Sequence, residues 1–103
     1  MSISSTVSDA SKTVTIKVFG DFDFSLHSEF RNSYRYTKNE GVTYFVDLSD
    51  SDYLDSSALG MLILLKEHAD ELKGKVVLLR PSPKAKKLLS TVNFEKMFHI
   101  QEH

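Results

Sequence analysis

Apolar and polar residues alternate in one stretch of the chain and form continuous apolar runs in two others. Val14, Ile16 and Val18 are separated by polar residues, which predicts a half-buried strand over residues 13–20. Residues 42–48 and 75–80 are almost entirely apolar, so each stretch predicts a buried strand. Residues 2–8 and 96–100 are weaker strand candidates, and a turn at "DASK", in which Asp9 bonds its own downstream backbone, would join the first two strands.

Three other stretches have the features of helices. The first has an apolar stripe at spacings of four, with Ser25 as its expected N-cap and Gly41 as its end; the stripe consists of Leu26, Phe30 and Tyr34. The second runs from about residue 57 to 72 and stops at Gly74. The third follows Ser82 as cap, with Pro83 in the first turn. The order β-β-α-β-α-β-α-β predicts an α/β domain whose central strands run parallel through right-handed crossovers.

Composition excludes several classes of function. Thirteen basic and fourteen acidic residues give a net charge of −1, so no charge excess points to nucleic acid or an anionic membrane. The chain has no cysteine, and its four histidines lack metal-ligand spacing, so we expect no metal or cofactor. The longest apolar run, residues 58–65, is far shorter than the roughly 20 residues of a membrane span. With no signal peptide at the start either, we expect a cytoplasmic protein without membrane insertion.

The stretch "YLDSSALGMLILL", residues 53–65, carries the candidate chemistry. Ser56 and Ser57 follow Asp55 where a loop enters the second helix, and either serine could cap that helix by accepting from a free backbone N–H. Alternatively, one hydroxyl is modified. A helix N-terminus tolerates a phosphate, because its unpaired N–H groups and dipole favour negative charge. No nucleophile-elbow or nucleotide-binding motif accompanies the serines, so we expect no enzymatic activity.

The first two turns of this helix are apolar on every side. The predicted buried face consists of Ala58, Leu62, Leu65, Ala69 and Leu72. Gly60, Ile63 and Leu64 then fall on the opposite face, with Glu67 at its rim. This outward apolar surface requires cover from another part of the fold or from a partner. Gly60 allows close approach of another backbone, which is either a loop of the same chain or a partner.

Three segments together resemble the STAS domains, in particular the anti-sigma factor antagonists of bacterial partner-switching systems. "VDLSDSDYLDSSALGMLILL" resembles the central signature of that family, in which a strand ends in Asp-Leu-Ser and Asp-Ser-Ser/Thr-Gly-Leu-Gly opens a helix. "GDFDFSLHSEFR" resembles the earlier Gly-Glu-Leu-Asp segment, and "VVLLRPSPKAKKLLSTVNFEKMFHI" resembles the closing part of the family. The resemblance implies a single STAS-like domain over residues 1–103, with a mixed central sheet of about four to five strands and helices mainly on one face.

The resemblance also implies a mechanism. In such proteins a serine kinase of the GHKL fold, which is often also the sequestered anti-sigma partner, phosphorylates the residue corresponding to Ser56, and a PP2C-type phosphatase reverses the reaction. Asp23 and Asp55, which match the family signature, and the outward helix residues Gly60, Ile63 and Leu64 are expected to form an interaction surface around Ser56 and Ser57, with Ser57 mainly a helix cap. Phe22 and Phe24 either pack in the core and at its edge, or one of them extends that surface. Ala58 departs from the glycine usual in the signature. Some members instead act as constitutive subunits of larger assemblies such as lipid transporters, which is the alternative.

Overall fold

One five-stranded sheet and three α-helices make up the fold. The computed structural model describes residues 3–8, 10 and 12–102 of the chain. The strands are β1 (Ile3–Val7), β2 (Thr13–Phe19), β3 (Thr43–Asp50), β4 (Lys75–Leu79) and β5 (His99–Gln101). The helices are α1 (His27–Tyr34), α2 (Ser56–Glu71) and α3 (Pro83–Thr91), with short 3-10 turns at Phe24–Leu26 and Phe94–Lys96. The predicted turn at Asp9 lies outside the described residues.

The strands lie side by side in chain order. β1 pairs antiparallel with β2, and the pairs β2–β3, β3–β4 and β4–β5 are all parallel. The parallel pairs follow from the helical crossovers between these strands, whereas the short connection from β1 to β2 forces an antiparallel pair. The predicted α/β domain with a mixed sheet of four to five strands is therefore confirmed.

The core lies on one face of the sheet. In register across the central strands, Ile16, Val46 and Leu78 point to the same side and are fully buried. They belong to one apolar cluster with buried residues of all three helices, such as Phe30, Leu62 and Leu89. The alternate row faces away from the helices; Thr15 and Phe45 in it are half exposed, whereas Val77 on β4 is buried. The helices therefore pack on one face, as expected.

The first helix differs from the prediction at both ends. Asp23, not Ser25, is the capping residue: its carboxylate accepts hydrogen bonds from the backbone N–H and the hydroxyl of Ser25, and caps the 3-10 turn before α1. α1 ends at Tyr34, well before Gly41. Beyond the end of α1, the Thr37 carbonyl accepts from the Tyr44 hydroxyl at 3.1 Å and is 3.0 Å from Nε2 of His68.

Gly74 follows α2 as expected, but for a different reason. The left-handed residue after the helix is Lys73, with φ of +57°. Gly74 is required because a Cβ there would lie 2.0 Å from the carbonyl oxygen of Val42. The glycine thus brings the end of α2 against the start of β3, and any side chain at this position would separate them.

Candidate functional site

Backbone hydrogen bonds join the two loops that leave the carboxyl ends of β2 and β3. The N–H of Gly20 donates to the carbonyl of Asp50 at 3.0 Å, and the N–H of Phe22 donates to Tyr53 at 2.9 Å. The N–H of Asp55 in turn donates to the carbonyl of Phe22 at 3.1 Å. Phe22 and Leu54 form an isolated parallel bridge, and both side chains are buried. The start of α2 is therefore held at a fixed position by the neighbouring loop.

Asp55 is the N-cap of α2. Its backbone is extended, and its carboxylate accepts a hydrogen bond from the N–H of Ala58 at 2.9 Å. Ser56 and Ser57 are the first two residues of the helix itself. The prediction that a serine caps this helix, and in particular that Ser57 does, is therefore wrong. Asp55 precedes both serines and already accepts the hydrogen bond that a capping side chain would accept.

The cap by Asp55 leaves the serine hydroxyls unused. Ser56 is exposed and Ser57 is half-buried. Among the residues that the structure describes, neither hydroxyl hydrogen bonds to another group of the protein. Ser56 therefore presents a free hydroxyl to solvent at the positive end of the α2 dipole.

Two of the three residues predicted on the outward face of α2 are exposed. Gly60 is exposed, and Leu64 retains 52% of its accessible surface. A Cβ on Gly60 would meet no atom within 4 Å, so within the described part of the chain no loop packs against it. Ile63 is different: it is half-buried and packs against the core, so its prediction as an outward residue is only partly correct. Met61, which the helical stripe omitted, is buried.

Two aromatic side chains lie exposed on the loops that hold the start of α2. Phe24 retains 66% and Tyr53 50% of its accessible surface. Phe22, the other predicted aromatic, is fully buried and belongs to the core. Tyr53 was not predicted from the sequence. An aromatic residue within the otherwise polar loop "SDSDY" could have indicated that it belongs to an interaction surface.

The carboxylates around the site divide into exposed and buried ones. Asp23 directly follows Phe22, whose backbone hydrogen bonds to Asp55, so the structure brings Asp23 to the same edge of the sheet as Ser56. Asp52, in the loop before Asp55, is exposed. A negative group added to Ser56 would therefore enter an already acidic surface.

Asp47, at the end of β3, is buried and paired. It accepts from the N–H and hydroxyl of Ser49, at 2.9 and 2.7 Å, and from the guanidinium of Arg80 at 2.7 Å. Burial raises the pKa of Asp47, but the hydrogen bonds from Ser49 and the charge of Arg80 outweigh it, so the pKa lies below its usual value. Asp47 therefore ties β3 to the residue that follows β4.

Among residues 3–8, 10 and 12–102, no group of three or more His, Asp or Glu side chains could hold a metal ion. None of the helices described there is long and apolar enough to cross a membrane.

Comparisons with known proteins agree on one family. The family model described as "Mlab, STAS domain" matches residues 5–101. A STAS-domain containing protein of Pseudomonas aeruginosa strain UCBPP-PA14 is 41% identical over 100 residues, which cover 97% of this chain and 99% of that protein.

Solved structures share the fold at low sequence identity. The Bacillus anti-sigma factor antagonist SpoIIAA, solved in unphosphorylated and phosphorylated forms, gives TM-scores of 0.71 and 0.66 at 20% and 18% identity, and the match covers 95% of this chain and 86% or 89% of that one. A sulfate transporter family protein from Wolinella succinogenes gives 0.80 at 12% identity, over 95% of this chain and 81% of that one.

Proposed function

Because this chain belongs to the STAS-domain family, we propose that it is a phosphorylation-controlled protein-interaction module of a bacterial partner-switching pathway. The unphosphorylated form binds a GHKL-type serine kinase that also acts as the anti-sigma-type partner. Phosphorylation of Ser56 releases that partner, and a PP2C-type phosphatase restores the binding form. The module occupies residues 1–103, acts in the cytoplasm and is itself not an enzyme.

The free hydroxyl of Ser56 is the observation that carries this proposal. A kinase needs an acceptor that is exposed and whose removal from local contacts costs little. Ser56 is exposed, lies at the first position of α2, and is relieved of capping by Asp55. The loops on either side are fixed by backbone hydrogen bonds, so the acceptor is presented without local unfolding.

A phosphate on Ser56 is large enough to switch binding without refolding the domain. It adds roughly −1.5 to −2 of charge at neutral pH. Two unit charges 4 Å apart interact by about 1 kcal/mol in water and about 4 kcal/mol at an effective dielectric of 20. Reversing a 99:1 population takes about 5.5 kcal/mol. A dianion beside Asp55 that must face an acidic or apolar partner surface therefore supplies an effect of the required size.

The partner surface surrounds Ser56 on both helix and loops. Leu64 and Gly60 extend it down α2, and Phe24 and Tyr53 extend it across the loops. Exposed apolar side chains grouped around one exposed serine favour a protein partner, since aromatic residues concentrate where interfaces form. Asp23, Asp55 and Ser57 flank the acceptor.

The acceptor is tested by mass spectrometry. The protein is incubated with its GHKL-type kinase and ATP, alongside the variants Ser56→Ala and Ser57→Ala. Phosphate is expected on Ser56 in the wild-type protein and in Ser57→Ala, and none in Ser56→Ala. Phosphate found only on Ser57 would contradict the assignment of the acceptor.

The sign of the switch is tested by titration calorimetry against the same kinase. Ser56→Ala should bind as the unmodified protein does, the phosphoprotein should bind weakly, and Ser56→Asp should lie between them, because aspartate carries less charge than phosphate. Equal affinity of all three forms would show that Ser56 takes no part in switching.

The binding surface is tested by charge insertion at Leu64. Because Leu64 is 52% exposed, Leu64→Asp should weaken partner binding with little loss of stability. Val92→Asp is the matched control, since Val92 is 41% exposed at the end of α3. Ile63→Asp is a poor test, because Ile63 packs against the core. Partner binding that is unchanged by Leu64→Asp would remove this face from the interface.

A constitutive structural role is the second candidate. It is favoured by the fold that this chain shares with the sulfate transporter family protein. A structural subunit would remain in its assembly whatever the state of Ser56. Co-purification of one complex by wild type, Ser56→Ala and Ser56→Asp, with no phosphate on Ser56 in cells, would favour this role over the switch.

A further inference from the structure

An open groove runs between the outer faces of α1 and α2. It has a volume of about 690 Å³. Both helices begin near the carboxyl ends of parallel strands and pack on the same face of the sheet, so they run in similar directions. Buried side chains form the floor of the groove, namely Phe30, Tyr34 and Met61. Leu64 lines it as well and is half exposed.

The two walls of the α1–α2 groove carry opposite charges. Arg31, Arg35 and Lys38 line one wall, and Glu67 and Glu71 line the other. All five side chains are exposed. In the described part of the chain none of them forms an ion pair, although four ion pairs occur elsewhere among these residues. The groove thus offers two rows of charge without ion pairs on either side of an apolar floor, with the Arg35 guanidinium also 4.8 Å from the Tyr36 ring centroid.

The spacing of these charges matches one turn of a helix. Arg31 and Arg35 are four residues apart, as are Glu67 and Glu71, so each row repeats about every 6 Å along its wall. An amphipathic helix has the same repeat, with an apolar face and charged residues on both flanks. A third helix laid between two neighbouring helices also completes the packing that their outer faces leave open.

We propose that the α1–α2 groove docks one amphipathic helix of the protein partner, with acidic residues of that helix against α1 and basic residues against α2. The proposal rests on the proposed function as a protein-interaction module. Leu64 links the two surfaces, because it lines the groove and lies eight residues, or about 12 Å, along α2 from Ser56. The groove therefore extends the partner surface away from the phosphoacceptor.

Three synthetic helical peptides of one length test the occupant. Each peptide has leucines on one face. The mixed peptide carries Glu on one flank of that face and Lys on the other. The second peptide carries Glu on both flanks, and the third carries Lys on both flanks. Binding to the ¹⁵N-labelled full chain is followed by NMR. The mixed peptide is expected to bind about tenfold more tightly than the other two at low salt, with shifts at Arg31, Leu64 and Glu71.

Reversing the charge of one wall should change which peptide binds best. With Arg31→Glu and Arg35→Glu together both walls are acidic, so the peptide with Lys on both flanks should become the tightest. With Glu67→Lys and Glu71→Lys together both walls are basic, so the peptide with Glu on both flanks should become the tightest. The control pair Lys84→Glu and Lys87→Glu changes charge on the exposed face of α3 and should leave the ranking unaltered.

Some results would overturn the proposal. One is a peptide ranking that is the same for all wall variants, and another is a set of shifts that maps to the open face of the sheet. Absence of binding of every peptide at about 1 mM, where even weak helix-groove contacts are detectable, would overturn it as well. Ser56→Asp should change peptide binding less than about twofold at this distance. Negative results with the peptides would therefore not contradict the Ser56 switch. Negative results for phosphorylation of Ser56 would not contradict docking in the groove.

Discussion

The N-termini of α2 and α3 are built alike but use their serines differently. The helices follow β3 and β4, which are adjacent parallel strands, so both start at the same edge of the sheet. Each cap accepts a hydrogen bond from the N–H three residues on: Asp55 from Ala58, and Ser82 from Ala85. The geometry of the two caps is therefore equivalent, and only the chemistry of the cap differs.

At α3 the serine is part of the structure. The Ser82 hydroxyl accepts from Ala85 at 3.2 Å and donates to the carbonyl of Ser51 at 2.9 Å, with only 8% of the residue exposed. At α2 a carboxylate provides the cap, and Ser56 points to solvent. In this chain the Ser56 hydroxyl is free because the carboxylate of Asp55 caps α2, whereas the Ser82 hydroxyl is occupied because it caps α3 itself.

The largest effect on stability is expected from Ser82→Ala. This change removes the cap of α3 and leaves the buried N–H of Ala85 and the carbonyl of Ser51 without their hydroxyl partner. The loss should be about 2 kcal/mol of the free energy of unfolding, measured by urea denaturation.

Ser56→Ala is the matched control, because it removes a hydroxyl from the equivalent end of α2. Its effect should stay within about 0.5 kcal/mol, as for other exposed positions. If Ser82→Ala and Ser56→Ala lower the free energy of unfolding by the same amount, the contrast between a structural Ser82 and a free Ser56 would be incorrect.

The next largest effect is expected at the cap of α2. Asp55→Ala removes the acceptor of the Ala58 N–H and should cost about 1 kcal/mol. Asp55→Asn keeps an oxygen in the same place and should recover most of that loss, as urea melts of the two variants would show. An equal loss in both variants would indicate that the charge, and not the hydrogen bond, stabilises this end of the helix.

Acid should reveal the contribution of Asp47, which ties β3 to Arg80 after β4. The pKa of Asp47 is lower in the folded protein than the value of about 3.9 in an unfolded chain. Its contribution to stability is therefore fully present above that unfolded value and is lost as the pH falls towards the folded pKa. The difference in unfolding free energy between wild type and Asp47→Asn should be constant above about pH 5 and shrink below about pH 4. A difference that persists unchanged in acid would argue against an ionised Asp47.

The sequence predicted the sheet and helices well because their signals are periodic. The alternation of Val14, Ile16 and Val18, and the proline after Ser82, each admit one interpretation. The start of α2 was harder, because Asp55, Ser56 and Ser57 are all favoured caps and only the backbone geometry selects among them. The same ambiguity between Asp23 and Ser25 misplaced the start of the first helix.

Features that depend on distant parts of the chain could not be predicted from local patterns. Gly74 is required by the carbonyl of Val42, which is 32 residues earlier. Ile63 falls on the outward side of an ideal helical wheel, yet it packs against the core. The charged walls of the groove are set by the position of α1 beside α2, which no spacing within either helix reveals.

A small gain in stability is expected from Gly60→Ala, one turn below Ser56. Alanine favours the helix over glycine, and a Cβ at this position meets no atom of the described chain within 4 Å, so the variant should be more stable by about 0.5 kcal/mol. If Gly60 is kept for close approach of the partner, the same methyl group should weaken partner binding, although it strengthens the fold. Ser90→Ala is the control: Ser90 is exposed in α3, so alanine should stabilise that helix without changing affinity. Urea melts and titration calorimetry against the kinase measure the two effects separately. Stabilisation with unchanged affinity would show that the partner does not approach the first turns of α2 at Gly60.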